Sequence, residues 1–440
     1  MKPTTANTTS LAAPAGTIGT GVLFRAASAT FLDQLAISSV HFLVGLLFIY
    51  RGTPEQYGLF SFFMAVFALL ASLQNSMVNT PLMVLAPRLP PETRATFERG
   101  LWGVLSLGVP VAMILLLLSF GALRLCGRGA EFTALEVPVF ALSLAPLMLR
   151  DFWRAQEYAR LRPGAALRRD LSFSILTLMM LALLLALQAV RVGPVLAAMA
   201  LAALAVVTGP SLPLWSPPPG RREIAGSFER AWALSQWSLL GATSSWFQNS
   251  AYVYLPFFLL GVREVAYLAA ARLLMTPAWL LAQSWGNYFR PLASKNLATG
   301  NTSGALHTFA RSNVLLLGFL GIFTAVILVA LKALPEAWIP GPYRGIGTYV
   351  ALWALIILIT TIHTNASSLL QASLAFKSLA LRSLGAALLT VGLTALLILE
   401  LGLAGALVAR VIGEVILMIL LLAGLRKAVL AGRGAVGEAP

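Results

Sequence analysis

The chain has 440 residues, 58% of them hydrophobic and only 11% charged, with a mean hydropathy of +0.83. A soluble domain cannot hide that much apolar surface, whereas a bilayer requires about 20 apolar residues per spanning helix. The formal net charge is +15, but the basic residues sit beside apolar runs rather than in one solvated patch, which argues against a nucleic-acid partner.

Residues 1–20 are small and polar, with no apolar core of a signal peptide, and residues 1–30 read as a cytoplasmic tail. Six apolar runs follow, at Phe31–Tyr50, Tyr57–Leu82, Leu101–Leu125, Thr133–Arg150, Leu171–Val190 and Pro194–Leu214. Three prolines, a glycine and two arginines then break any helix, so residues 216–230 read as a linker. The second half repeats the count at Ala231–Leu260, Tyr267–Phe289, Asn313–Leu331, Gly347–Leu370, Leu379–Leu399 and Leu401–Leu425, and residues 426–440 form a second tail. Glu400 and two glycines are left to make the last turn.

A spacing repeat ties the halves together. Tyr57 opens a run that closes at Pro81-Leu82, and Tyr267 opens one of the same length closing at Pro291-Leu292. Each run follows a short charged turn and precedes a basic loop. The expected fold is therefore an all-α polytopic membrane protein of about 12 transmembrane helices. They form two six-helix lobes, residues 31–215 and 231–425, related as a parallel internal repeat around a central cleft. With the N-terminus placed in the cytoplasm, 22 Lys and Arg fall on the cytoplasmic side and 7 on the outer side, so both termini are expected inside.

Chemistry has few places to reside. The chain lacks a phosphate-binding GxxxxGK[ST] loop and an HExxH motif, its three histidines are far apart, and its one cysteine, Cys126, excludes an internal disulfide. No metal site and no cofactor are expected. The spans, however, carry polar residues that need partners or a wet cavity. Helix 1 has Asp33, Gln34, Ser38 and His41; helix 2 ends in Gln74, Asn75, Ser76, Asn79 and Thr80. Helix 7 offers Ser244, Ser245, Gln248 and Asn249, and helix 8 carries Arg272, Thr276, Trp279, Gln283 and Asn287 on one expected face. Plainer readings stand beside these: Asp33 as a helix-start carboxylate pairing with Arg25, Arg272 snorkelling to headgroups, the amides as interhelical glue, and Arg410 with Glu414 as a mutually neutralising i, i+4 pair.

The early polar pair Asp33-Gln34, the segment Gln56-Tyr57-Gly58-Leu59-Phe60-Ser61, and Leu260-Gly261 through Tyr267, Ala269-Ala270-Ala271-Arg272 and Pro277 resemble the multidrug/oligosaccharidyl-lipid/polysaccharide exporter superfamily. Within it, the chain resembles the Wzx-like O-antigen and exopolysaccharide flippase branch. Lipid II flippases are similar in the same way but usually have fourteen helices and more cavity arginines.

The resemblance implies a flippase moving polyprenyl-pyrophosphate-linked oligosaccharide across the inner membrane, with a cationic cavity meeting the pyrophosphate. That role maps onto Arg272 and Arg25. Gln248, Asn249, Gln283, Asn287, Gln74 and Asn75 are the candidates for sugar hydroxyls, with Trp279 or Tyr252 to stack. Asp33 and His41 are the candidates for coupling to H+ or Na+. Glycosyltransferases or a polymerase of the same pathway are the expected protein partners. Two other readings are a cation-coupled multidrug exporter of the same superfamily, with Asp33 as its coupling site, and a polytopic glycosyltransferase or polymerase, which would need a large external loop. A membrane scaffold without transport is a fourth.

Overall fold

The computed structural model describes residues 20–126, 132–133, 135–207, 219–283, 302–333, 340–372 and 376–436, and all regular structure in them is helical. The first half comprises α1 (Thr20–Arg51), α2 (Pro54–Gln74), a π-helical turn (Asn75–Asn79), α3 (Thr80–Leu85), α4 (Pro91–Leu125), α5 (Glu136–Ala159), α6 (Pro163–Ala186) and α7 (Val192–Val207). The second comprises α8 (Arg221–Leu259), α9 (Val262–Leu274), α10 (Thr276–Gln283), α11 (Thr302–Ala333), α12 (Gly347–Ala372), α13 (Phe376–Leu401) and α14 (Leu403–Val436).

Among the described residues, eight helices are long and apolar enough to cross a membrane. The α9–α10 pair makes a ninth when its 54° bend is counted within one span, and α7 is a shorter apolar helix. The remaining two, α5 and α8, have the length but too many polar residues, and several of those, such as Arg150, Arg154, Gln156 and Trp246, find partners inside the protein. Packing repeats between the halves: α1 lies on α6, α4 on α5, α5 on α7 and α6 on α7, while α8 lies on α13, α11 on α12, α12 on α14 and α13 on α14.

Several expected boundaries shift, each for a local reason. The segment 216–230 is helical from Arg221 onward, because Gly220 takes an extended cap conformation and Glu223 complements the first turn of α8. At about 58 Å, this helix exceeds the thickness of a bilayer. Residues 20–30 belong to α1, and α14 continues to Val436, so both expected tails are shorter. The last turn is made by Gly402, whose φ of +56° is left-handed, and Glu400 stays inside α13. Pro277, which lacks an N–H, breaks the expected eighth span at Met275. Tyr57 is the fourth residue of α2 whereas Tyr267 is the sixth of α9, so the two tyrosines are offset by two positions.

The halves meet mainly where α2 lies on α9 and α8, and where α4 lies on α8. On the face of the α1–α2 turn, Phe62 stacks on Phe257 with centroids 4.0 Å apart, and Phe63 stacks on Phe140 at 4.4 Å. Phe120 and Phe132 complete this aromatic plug. Deeper in, the Trp246 indole N–H donates to the Ala65 carbonyl at 2.8 Å, tying α8 to α2. On the opposite face, Arg99 pairs with Glu223 at 3.3 Å. Gly103 of α4 admits Ile224 of α8 there, where a Cβ would sit 2.6 Å from Cγ1. A cavity of about 460 Å³ opens beside this crossing, lined by Glu92, Thr96, Arg222, Glu223, Ser227 and Arg230.

Candidate functional site

The polar residues form two separate clusters. In the first half, Asp33 is completely buried and accepts from Arg154, with Nη2 at 2.5 Å and Nε at 3.0 Å, and from the Tyr158 hydroxyl at 2.8 Å. Asp170 of α6 accepts from Arg150 Nε at 3.0 Å and Nη2 at 2.5 Å, and its other oxygen lies 3.0 Å from Arg154 Nε. The two carboxyl groups also act on each other directly. Asp33 is thus held from α5 and is not capped by its own helix start, which corrects the plain reading made from sequence. The Arg25 side chain lies outside the described residues. His41 is exposed on α1 and donates from Nδ1 to the Ile37 carbonyl at 2.9 Å, with Arg150 and Asp151 of α5 near enough to act on it through charge.

The second cluster lies among α8, α9, α12 and α14. Arg272 is exposed although Ala271 and Leu273 beside it are buried. Its Nη1 donates to the Tyr252 hydroxyl at 2.5 Å, and its guanidinium carbon sits 5.6 Å from the Tyr252 ring and 5.7 Å from Trp353. Arg410 approaches the same two rings, at 5.8 and 5.4 Å. Its Nη1 donates to the Gln248 carbonyl at 3.2 Å and the Asn249 carbonyl at 2.5 Å, and its Nη2 to Asn249 Oδ1 at 2.6 Å. Glu414 lies 3.3 Å from Arg410 and 2.6 Å from His363 Nε2. The Arg410–Glu414 pair is therefore more than an internal neutralisation within α14, because it binds α14 to α8 and α12.

Arg272, Gln248 and Asn249 come together here, and Arg410, Glu414 and His363 join them. Asn249 is exposed, whereas Gln248 is buried with its Nε2 lacking a hydrogen-bond partner among the described residues. Tyr252 is buried against Trp353, which removes it as a stacking face for sugars.

The other candidates lie apart from this cluster. Gln74 is buried and donates to the Met148 carbonyl at 2.8 Å, a tie within the first half. Asn75 is exposed at the head of the π-helical turn. Gln283 is exposed on α10, beyond the bend, so the face expected to run from Arg272 to Asn287 is not continuous. Asn287 lies outside the described residues. Among the described residues no group of His, Cys, Asp and Glu has the arrangement of a metal site.

No family model and no curated protein matches the sequence. Solved structures do match its fold. An inward-facing multidrug resistance MATE family transporter of the MOP superfamily is similar at 14% identity, covering 92% of this chain and 99% of its own, with a TM-score of 0.68. The lipid II flippase MurJ in an inward closed conformation is similar at 15% identity, covering 93% of this chain and 90% of its own, with a TM-score of 0.67. An outward-facing MATE family transporter of the same superfamily has a TM-score of 0.62 at 12% identity, over 94% of this chain and 96% of its own. The chain has the all-α polytopic fold of MATE transporters and MurJ.

Proposed function

We propose that this chain is a transporter of the MOP superfamily that flips a polyprenyl-pyrophosphate-linked oligosaccharide across the cytoplasmic membrane, for surface or exopolysaccharide synthesis. The observation that carries this reading is the exposed residue Arg272, its guanidinium held by Tyr252, with a second guanidinium, Arg410, against the same two rings and bonded to Asn249. A planar, permanently charged fork suits a diphosphate, and amides beside it suit sugar hydroxyls. The headgroup would occupy the site while the polyprenyl tail stays in lipid. The two halves would rock about the α2–α9 contact, opening the aromatic plug when the substrate leaves. The excess of Lys and Arg on the side where α1 begins supports cytoplasmic termini. Glycosyltransferases of the same pathway would supply the substrate.

A second reading, a cation-coupled multidrug exporter, draws on the first cluster. Asp33 Oδ1 is buried without a donor among the described residues and Asp170 Oδ2 meets Arg154 Nε at 3.0 Å, and two neighbouring carboxyl groups of this kind favour a shared proton or small cation. Proteoliposomes separate the readings. The flippase moves a fluorescent lipid-diphosphate oligosaccharide between leaflets and does not accumulate ethidium. Ethidium transport driven by a pH or Na+ gradient, with no lipid flipping, would replace it with the second reading.

A further inference from the structure

The second cluster contains charge that binding of a headgroup alone does not use. Arg410 is buried, its Nε has no hydrogen-bond partner among the described residues, and nearby Gln248 Nε2 has none either. The Arg410 charge thus lies sealed within reach of Arg272 and acts there through its field rather than by contact. Yet Arg410 is engaged by Glu414, whose other oxygen meets His363. The Glu414 side chain is 2% exposed and that of His363 14%, so the imidazole connects the sealed carboxylate to water. The charged or titratable groups facing the Arg410–Glu414 pair are His363 from α12, Arg272 from α9 and Tyr252 from α8; from α13, Thr390 faces the adjoining Gly413.

We propose that Glu414 and His363 form a proton site linked to anion binding at Arg272 and Arg410, an inference resting on the assignment of Arg272 as the headgroup contact. With Glu414 ionised, Arg410 is neutralised and only Arg272 is free for the ligand. A proton passing through His363 to Glu414 leaves the Arg410 charge uncompensated while its contacts with α8 hold it in place, so that charge adds to the field of Arg272 at a bound diphosphate. Binding of the anion takes up one proton from water, and release of the anion returns it. Ligand and proton favour each other equally, as linkage requires.

The test uses the purified full-length protein and a short-prenyl diphosphate ester of glucose, a diphosphate diester whose own charge is constant from pH 6 to 8. Titration calorimetry in buffers of different ionisation enthalpy counts protons. Wild type should take up about one proton per ligand at pH 8, and its affinity should fall about tenfold per pH unit above the site's titration. Glu414→Gln should take up none, bind independently of pH, and bind more tightly than wild type at pH 8. Wild-type binding without proton uptake and with a pH-independent affinity overturns the proton link alone. Binding unchanged by Arg272→Ala, or no binding by wild type, overturns the anion site and this inference with it.

Discussion

Gly58 of α2 faces the carbonyl of Val262 of α9 so closely that a Cβ at position 58 would overlap that backbone oxygen. The two halves are sealed there by main chain against main chain, with Phe62 and Phe257 stacked beneath. An overlap with a flexible side chain relaxes cheaply, whereas this one requires the helices to part.

Gly58→Ala should therefore destabilise the protein by about 1–3 kcal/mol, the usual cost of overpacking. Gly108, in α4 with nothing near its missing Cβ, is the matched control: Gly108→Ala should be neutral or slightly stabilising through helix propensity. Unfolding curves in detergent compare the two, and equal midpoints would remove close backbone packing as the seal.

Asp33 and Arg154 should behave as a coupled pair. Removing one partner of a buried ion pair costs about 3–5 kcal/mol, because the other charge is left without compensation. Arg154→Gln, which leaves buried Asp33 without a cation and facing Asp170, should destabilise strongly, whereas Asp33→Asn should cost less because Arg154 keeps Asp170 at 3.0 Å. The double variant should lose about 1–3 kcal/mol less than the sum, since neither charge is then orphaned. Unfolding in mixed micelles with increasing SDS gives the cycle, and additive losses would mean the 2.5 Å contact contributes no coupling.

What was readable from sequence follows from the range of the forces involved. Apolar runs reveal spans because burial in lipid acts residue by residue, and ten of the expected runs lie on helices that are long or apolar by themselves. The α5 and α8 spans are also legible as runs, although their polar residues lower the hydropathy. Partner choice was not legible: Asp33 and Arg154 are 121 residues apart, and Arg410 reaches carbonyls 161 and 162 residues away. Only the Arg410–Glu414 spacing was visible, as an i, i+4 pair, and it concealed the contacts of both residues with other helices. The π-helical turn had a weak local signal in the polar run Gln74–Thr80, which also contains the uncapped amides. The bend at Met275 was signalled by Pro277, two residues on, and a continuous polar face drawn across it did not survive.

Arg272 carries the functional account, and glycan export measures it most directly. A host lacking its own exporter would be complemented with wild type, Arg272→Ala and Arg272→Lys, with membrane levels and monodispersity of each variant checked. The account predicts that wild type restores export, that Arg272→Ala leaves lipid-linked glycan accumulating inside, and that Arg272→Lys recovers only a minor part because a point charge lacks the bidentate fork. Normal export by Arg272→Ala at normal protein levels would contradict it.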